Sequence, residues 1–99
     1  MLAHHPEATA IHFANDDLAT GAILHAQRQG IRVPEEIAIA GFNGLPIGQR
    51  ITPRLTTIRS PREAIGREAA RRVIARLEGA ARTPDQHDVG FELLVGEST

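Results

Sequence analysis

The 99-residue chain contains no cysteine, tryptophan or tyrosine, and its aromatic residues are three phenylalanines. The absence of cysteine excludes disulfide frameworks and thiol catalysis, and it fits a reducing, cytoplasmic compartment. Because aromatic side chains are so few, we expect the core to be built from isoleucine, leucine, valine and alanine.

Long apolar runs and an excess of positive charge are also missing. No segment approaches the ~18 consecutive apolar residues of a membrane span, and residues 1–10 lack the pattern of a signal peptide. We therefore expect no membrane partner. The net charge of −1, from 11 basic and 12 acidic residues, predicts that this chain by itself binds the phosphate backbone of DNA poorly.

The first half of the chain predicts a strand, a helix and a second strand. Residues 10–14 and 37–42 are short apolar runs, typical of strands buried on both faces of a parallel sheet. Between them, Asn15 or Asp16 can cap a helix that ends at Gly30. This order implies a right-handed parallel crossover and hence an α/β fold.

The second half predicts a loop, a short strand and a longer helix. Residues 43–54 are rich in glycine and proline and should be irregular, with a strand at 55–59 after them. Ser60 precedes a proline and a glutamate in the pattern of a capping box, which predicts a helix running to about Gly79. A polar linker and a final strand at 89–95 complete the chain.

The predicted second helix is amphipathic and carries ion pairs at helical spacing. Glu63 with Arg67 and Glu68 with Arg72 stand in the favourable i, i+4 order. The apolar face comprises Ile65, Ala69, Ala70, Val73, Ile74 and Leu77.

Two amide side chains follow the first two strands. Asn15 comes after the first strand, and Asn43 follows Gly41-Phe42 at the end of the second. Open α/β sheets bind ligands at the carboxyl ends of their strands. We therefore expect Asn15 and Asn43 to contact a small molecule, which makes the chain part of a small-molecule sensor.

Catalytic and metal-binding patterns have little support. No two of the five histidines stand four residues apart, so no metal site is predicted. Asp16 and Asp17 stand where helix-starting carboxylates are common, Ser60 reads as a cap, and Ser98 falls in a tail expected to fray. Without a phosphate-binding loop, we expect no cofactor and no enzymatic activity.

Four segments in this order resemble the C-terminal part of the ligand-sensing domain of the LacI family of bacterial transcriptional repressors. They are Asn15-Asp16, residues 30–34, Gly41-Phe42-Asn43-Gly44 and residues 53–57. The resemblance covers nearly the whole chain. It implies a three-layer, parallel-sheet, periplasmic-binding-protein-like (type I) fold, of which this chain holds an incomplete fragment of two lobes.

The resemblance also implies a domain organisation. Residues 1–99 would be the C-terminal portion of the sensor domain, which binds ligand and dimerises, and the helix-turn-helix domain that reads operator DNA would be absent from this chain. Residues 10–42 and the last strand would belong to one lobe. Residues 55–59 and the helix at 61–79 would belong to the other.

The family's ligand contacts in this region fall on Asn15 and Asn43. Many members carry aspartate at the second position, where a carboxylate would repel an anionic ligand and an amide would not. Phe42-Asn43-Gly44, with Gly90-Phe91-Glu92-Leu93, resembles the subgroup that represses gluconate utilisation, which implies a sugar acid as effector. Arg62 would supply a cation, the alternative being a solvated arginine in the first turn.

Family dimers use two surfaces that fall here on a helix and a loop. The corresponding residues are Ala19, Thr20, Ala22, Ile23, Ile47 and Ile51. The alternative, in which they pack on their own sheet, stays open. Members commonly end in an Arg-x-Ser segment, and this chain has Gly96-Glu97-Ser98-Thr99 instead.

These observations lead to one hypothesis and two rivals. The leading hypothesis is the effector-sensing, homodimeric part of a sugar-acid-responsive repressor, with operator DNA bound only through the missing domain. The runner-up is a fragment of a periplasmic sugar-binding protein of a transport system, which shares the fold. The third is a small flavodoxin-like enzyme domain, which would need a phosphate loop or a catalytic cluster.

Overall fold

The computed structural model describes residues 3–80 and 86–99. Its elements are β1 (Ala10–His12), α1 (Asp16–Gln29), β2 (Ala38–Ala40), a 3₁₀ turn (Pro46–Gln49), β3 (Thr57–Arg59), α2 (Arg62–Leu77) and β4 (Glu92–Leu94). They fall into two compact units. The sheet unit comprises Met1–Arg59 with Glu92–Thr99, and the helix unit comprises Ser60–Phe91.

The sheet unit is built from two strand pairs joined by bridges. β1 pairs with β2 in parallel, with Ile11 opposite Ile39, as the strand–helix–strand order predicted. β3 pairs with β4 in antiparallel orientation. Two isolated parallel bridges, Ala40 with Thr56 and Asn43 with Arg59, connect the end of β2 to β3.

Helix α1 begins and ends at the residues that its sequence indicates. The side-chain oxygen of Asn15 accepts a hydrogen bond of 2.9 Å from the backbone N–H of Leu18, so Asn15 rather than Asp16 is the cap. Gly30 ends the helix with a φ of 71°, where its backbone N–H bonds the last carbonyls. A left-handed residue at this position favours glycine.

The core of the sheet unit is aliphatic, as the composition predicted. It consists of Ala19, Ile23, Ile37, Ile39 and Leu55. β1 contributes less than expected, because Ala10 and His12 are exposed and Ile11 is half-buried. The prediction that this strand is buried on both faces was therefore wrong. Within the described part of the chain, β1 pairs with β2 alone.

The boundary between the two units lies after Arg59. The sequence analysis had grouped residues 55–59 with the second helix, and this grouping was wrong. Leu55 has no exposed surface and packs in the core of the sheet unit. Thr57 donates a 2.6 Å hydrogen bond to Asp16 at the start of α1. These contacts fix the segment to the sheet unit.

The helix unit contains α2, which starts differently from the prediction. Its cap position is Pro61, with no side-chain capping bond, so the expected capping box from Ser60 was wrong. The Glu63 carboxylate pairs instead with Arg67 at 2.6 Å. This ion pair and the one between Glu68 and Arg72, at 2.8 Å, confirm the predicted spacing.

None of the residues of α2 is buried within the described structure, although the helix is amphipathic. The predicted polar linker falls largely on residues 81–85, which lie outside the described residues. In the ranges 3–80 and 86–99, neither helix combines the length with the apolar character that crossing a bilayer requires.

The carboxyl-terminal segment is held in place, and the prediction that Ser98 frays was wrong. Ser98 is fully buried. Its hydroxyl donates to the carbonyl of Ile39 at 2.6 Å and accepts from the backbone N–H of Thr56 at 2.9 Å. Glu97 accepts a bond of 3.0 Å from the backbone N–H of Arg54. The segment thereby joins β2 to the residues that precede β3.

Candidate ligand-binding site

The two predicted amides lie at the carboxyl ends of β1 and β2. Beyond the paired strands, the backbone N–H of Phe13 donates to Ala40 at 2.8 Å, and that of Asp16 donates to Phe42 at 3.0 Å. Asn15 and Asn43 are each next to a partner of the second bond. The backbone therefore brings both to one edge of the sheet, and their role as ligand contacts stays a prediction.

Asn15 uses the oxygen of its side-chain amide to cap helix α1. Its oxygen accepts from the backbone N–H of Leu18, and the residue is half-buried. Because the cap uses the oxygen, the NH₂ group is the part of Asn15 that can donate to a ligand. A sugar hydroxyl or a carboxylate oxygen would accept that bond.

Asn43 has an unusual backbone conformation, with a φ of 112°. Its backbone N–H donates to the carbonyl of Ile58 at 2.8 Å, and it forms a bridge with Arg59. A non-glycine residue at positive φ costs on the order of 1–3 kcal/mol and is found where the surrounding structure imposes it, often at functional sites. Asparagine tolerates this region better than most residues.

Gly44 allows this segment to approach β3 closely. Its own φ is 69°, and a Cβ at this position would lie 2.8 Å from the Cβ of Arg59. Any side chain here would force the loop away from the strand. Glycine is therefore required at residue 44 if Asn43 is to keep its bond to Ile58.

A buried carboxylate lies beneath the two amides. Asp16 has no exposed surface. One of its oxygens accepts from the hydroxyl of Thr57 at 2.6 Å, and the other accepts from the backbone N–H of Leu45 at 2.7 Å. A Cβ at Gly41 would collide with this carboxylate. The sequence pattern identified Asp16 as a capping residue and missed this network, because its partners are distant in the chain.

A cation missed by the sequence analysis lies beside Asn43. Arg59 forms the backbone bridge with Asn43 and donates from Nη2 to the Glu92 carboxylate at 2.6 Å. The side chains of Arg59 and Glu92 are 51% and 58% exposed. The ion pair is therefore open to solvent, and its charge is screened.

Arg62, the predicted cation, begins α2 in the helix unit and is exposed. Its own unit surrounds it with a charged surface that includes Glu63, Arg67 and Arg71. The expectation that Arg62 contacts a ligand stays a prediction.

The predicted dimer residues divide into two groups. Ala19 and Ile23 have no exposed surface and fill the core of the sheet unit, and Thr20 is 6% exposed. Their burial within the sheet unit agrees with the alternative of packing on their own sheet, and their role in a dimer interface stays a prediction. Ala22 and Ile51 are half-buried against the same core, whereas Ile47 is 47% exposed. The predicted interface therefore depends chiefly on Ile47.

Comparison with known proteins gives a consistent result along the whole chain. The family described as periplasmic binding protein-like domain matches residues 1–99. The HTH-type transcriptional regulator GntR of Pseudomonas aeruginosa is 50% identical over 99 residues, which are 100% of this chain and 29% of that protein. The chain thus spans under a third of this relative's length.

Two solved structures are similar to the fold. The crystal structure of the transcription regulator GntR from Chromobacterium violaceum matches with a TM-score of 0.85 and 42% identity, over 98% of this chain and 36% of that chain. The complex of the transcriptional regulator CelR with cellobiose matches with a TM-score of 0.89 and 30% identity, over 99% and 30% respectively. These three similar proteins are described as transcriptional regulators.

Proposed function

The chain belongs to the family of periplasmic binding protein-like domains, in the group found in LacI family transcriptional regulators, and from this premise we propose that it senses a sugar acid such as gluconate. In this proposal it is the effector-sensing part of a DNA-binding regulator that controls transcription of carbohydrate-utilisation genes. The proposal rests on the positions of Asn15 and Asn43. They are the chain neighbours of Asp16 and Phe42, which are joined by a backbone hydrogen bond.

The geometry of this edge suits a hydroxylated ligand. Asn15 has an NH₂ group available beyond its capping bond, and Asn43 is held by its backbone in a left-handed conformation. Amide groups donate and accept hydrogen bonds, so the two asparagines can bind hydroxyl groups of a ligand. The similar regulator CelR was solved with cellobiose, a hydroxylated ligand.

The preference for an acid follows from the uncharged amide at residue 43, which does not repel a carboxylate. The guanidinium of Arg59, the residue that forms a backbone bridge with Asn43, is paired with Glu92 in a solvent-exposed ion pair, and a ligand carboxylate would compete with Glu92 for it. Charge-assisted bonds between arginine and carboxylate are about twice as strong as neutral ones. The likeness to two regulators called GntR agrees with the resemblance to gluconate-utilisation repressors.

The proposal includes the remaining partners of the whole regulator. Operator DNA would be bound by a separate helix-turn-helix domain, in the cytoplasm, and a homodimer would use the loop around Ile47. Ligand would control transcription by preferring one of two states of the regulator. The transport-protein alternative has no support from the relatives described above, which are regulators.

The test is an NMR titration of the 99-residue chain with gluconate and, separately, with glucose. We expect gluconate to shift the side-chain amide signals of Asn15 and Asn43, and glucose to shift them less. Equal shifts with both sugars would contradict the preference for an acid. The absence of shifts at either amide with both sugars would contradict the site.

A charge variant tests the preference independently. Asn43→Asp places a negative charge next to the ligand's carboxylate in the proposed site, so we expect gluconate affinity to fall about tenfold or more while glucose affinity changes little. Gln29→Glu is the matched control, because it adds the same charge at the last residue of α1, about 20 Å along the helix from Asn15. Equal losses in the two variants would contradict the proposal.

A further inference from the structure

Asp16 is the one fully buried charged side chain among residues 3–80 and 86–99. Burying a carboxylate costs several kcal/mol unless hydrogen bonds compensate. The start of a helix does not require this burial, since Asp17, in the same first turn, is exposed. Another reason is needed for a carboxylate at residue 16.

The hydrogen bonds of Asp16 supply that reason, because they hold both ends of the short segment 42–45. Its backbone N–H donates to the carbonyl of Phe42 at 3.0 Å, and its carboxylate accepts from the backbone N–H of Leu45 at 2.7 Å. Asn43 and Gly44 lie between these two contacts. Both have positive φ, at 112° and 69°, so the segment bends sharply where it is held.

Thr57 connects the same carboxylate to β3. Its hydroxyl donates to Asp16 at 2.6 Å and accepts a longer bond of 3.4 Å from the backbone N–H of Gly44. Thr57 is itself 1% exposed. One hydroxyl thus orients the carboxylate and touches the residue next to Asn43.

From this geometry we infer that Asp16, oriented by Thr57, is a positioning residue that fixes Asn43 relative to Asn15 in the ligand site. The inference rests on the proposed function, since it assigns Asn43 a ligand to contact. Asp16 does not touch the ligand in this arrangement. It acts through residues 42–45, whose conformation it holds in advance, and such preorganisation strengthens binding by reducing the ordering cost.

The test uses variants of Thr57, which change the network without removing the buried charge. Thr57→Val is nearly isosteric and removes the hydroxyl, whereas Thr57→Ser keeps it. We expect Thr57→Val to weaken gluconate binding about tenfold and Thr57→Ser to change it less than about twofold. We expect Asp16→Asn to weaken gluconate binding as much as Thr57→Val does. The control for Asp16→Asn is Asp17→Asn, because Asp17 is an exposed neighbour.

A double-mutant cycle separates positioning from general stability. If Thr57 and Asp16 act through Asn43, Thr57→Val should have little further effect on gluconate affinity in an Asn43→Ala background. A purely structural role would lower the melting temperature and reduce affinity by the same factor in both backgrounds. That second result would overturn the inference.

Failure of the inference is distinguishable from failure of the proposed function. If the unaltered chain binds neither gluconate nor glucose, the proposed function fails, and the spectrum of the free chain still decides the positioning role. Thr57→Val should then move the Asn43 side-chain amide signals, with Thr57→Ser leaving them in place. Unmoved Asn43 signals in Thr57→Val would contradict the inference in either case.

Discussion

The sheet unit and the helix unit contain similar aliphatic side chains and use them in opposite ways. Ile23 and Leu55 in the sheet unit have no exposed surface, whereas Val73 and Leu77 in α2 are 58% and 82% exposed. An amphipathic helix gains most of its stability from the surface that covers its apolar face. The comparison teaches that the described structure concentrates its stability in the sheet unit.

Polar groups differ between the units in the same sense. In the sheet unit, Ser98 and Thr57 are buried and bond residues 59 and 41 positions away. In the helix unit, the polar contacts of α2 are glutamate–arginine pairs one turn apart on an exposed helix. Such local pairs contribute about 0.2–0.5 kcal/mol each and are screened by salt. Long-range bonds therefore define one unit and local bonds the other.

The largest expected effect compares two leucines. Leu55→Ala removes a fully buried side chain from the core, and we expect it to lower the free energy of unfolding by about 2–5 kcal/mol. Leu77→Ala, at an 82% exposed position, should change it by less than about 0.5 kcal/mol. Urea unfolding followed by circular dichroism measures both. Similar losses would show that α2 is covered in solution.

The next effect compares two serines. Ser98→Ala leaves the buried carbonyl of Ile39 and the N–H of Thr56 without their hydroxyl partner, which costs about 1–3 kcal/mol. Ser60→Ala is the control, because the start of α2 has no side-chain capping bond. We expect no measurable change there. A stability loss in Ser60→Ala as large as that in Ser98→Ala would contradict the comparison.

The sequence predicted those features of the fold that local signals determine. The helix cap at Asn15, one of the two residues predicted for it, the end of α1 at Gly30 and the parallel β1–β2 pair were confirmed. Capping side chains, glycine and apolar periodicity act within a few residues. The ion pairs of α2 were confirmed for the same reason.

Features that depend on distant partners were missed. Nothing in the local pattern around Ser98 distinguishes a frayed tail from a buried bridge to Ile39. Asp16 was read as a capping residue, since its bonds to Leu45 and Thr57 span 29 and 41 positions. The sequence pattern therefore predicted that Asn15 and Asn43 lie at one edge of the sheet, but it did not indicate which contacts hold them there.

A smaller effect separates the two roles of Asn15. Asn15→Ala removes the cap on α1, and we expect a stability loss of about 1 kcal/mol. Asn15→Ser keeps a capping oxygen and should lose only a few tenths of that, because serine caps about as well as asparagine. Both variants lack the NH₂ group and should weaken gluconate binding alike. If gluconate binding instead weakens in Asn15→Ala but not in Asn15→Ser, as stability does, the role of Asn15 is limited to capping α1.

The smallest effect concerns the acid response of α2. Hydrogen bonds from Arg71 and then Arg72 lower the pKa of the Glu68 carboxyl from 4.5 to about 2. Because the folded pKa is depressed, the stabilisation is present above pH 4.5 and is lost as the pH falls toward 2.

We expect the NMR titration of the Glu68 carboxyl to show this low midpoint, and we expect α2 to lose a little of its helicity over the same pH range. Glu68→Gln should remove this part of the acid response and leave the acid response of the sheet unit, which includes the buried Asp16 carboxylate, as before. An unchanged helicity profile in Glu68→Gln would mean that the local pairs of the helix unit contribute nothing measurable, which would widen the difference between the two units.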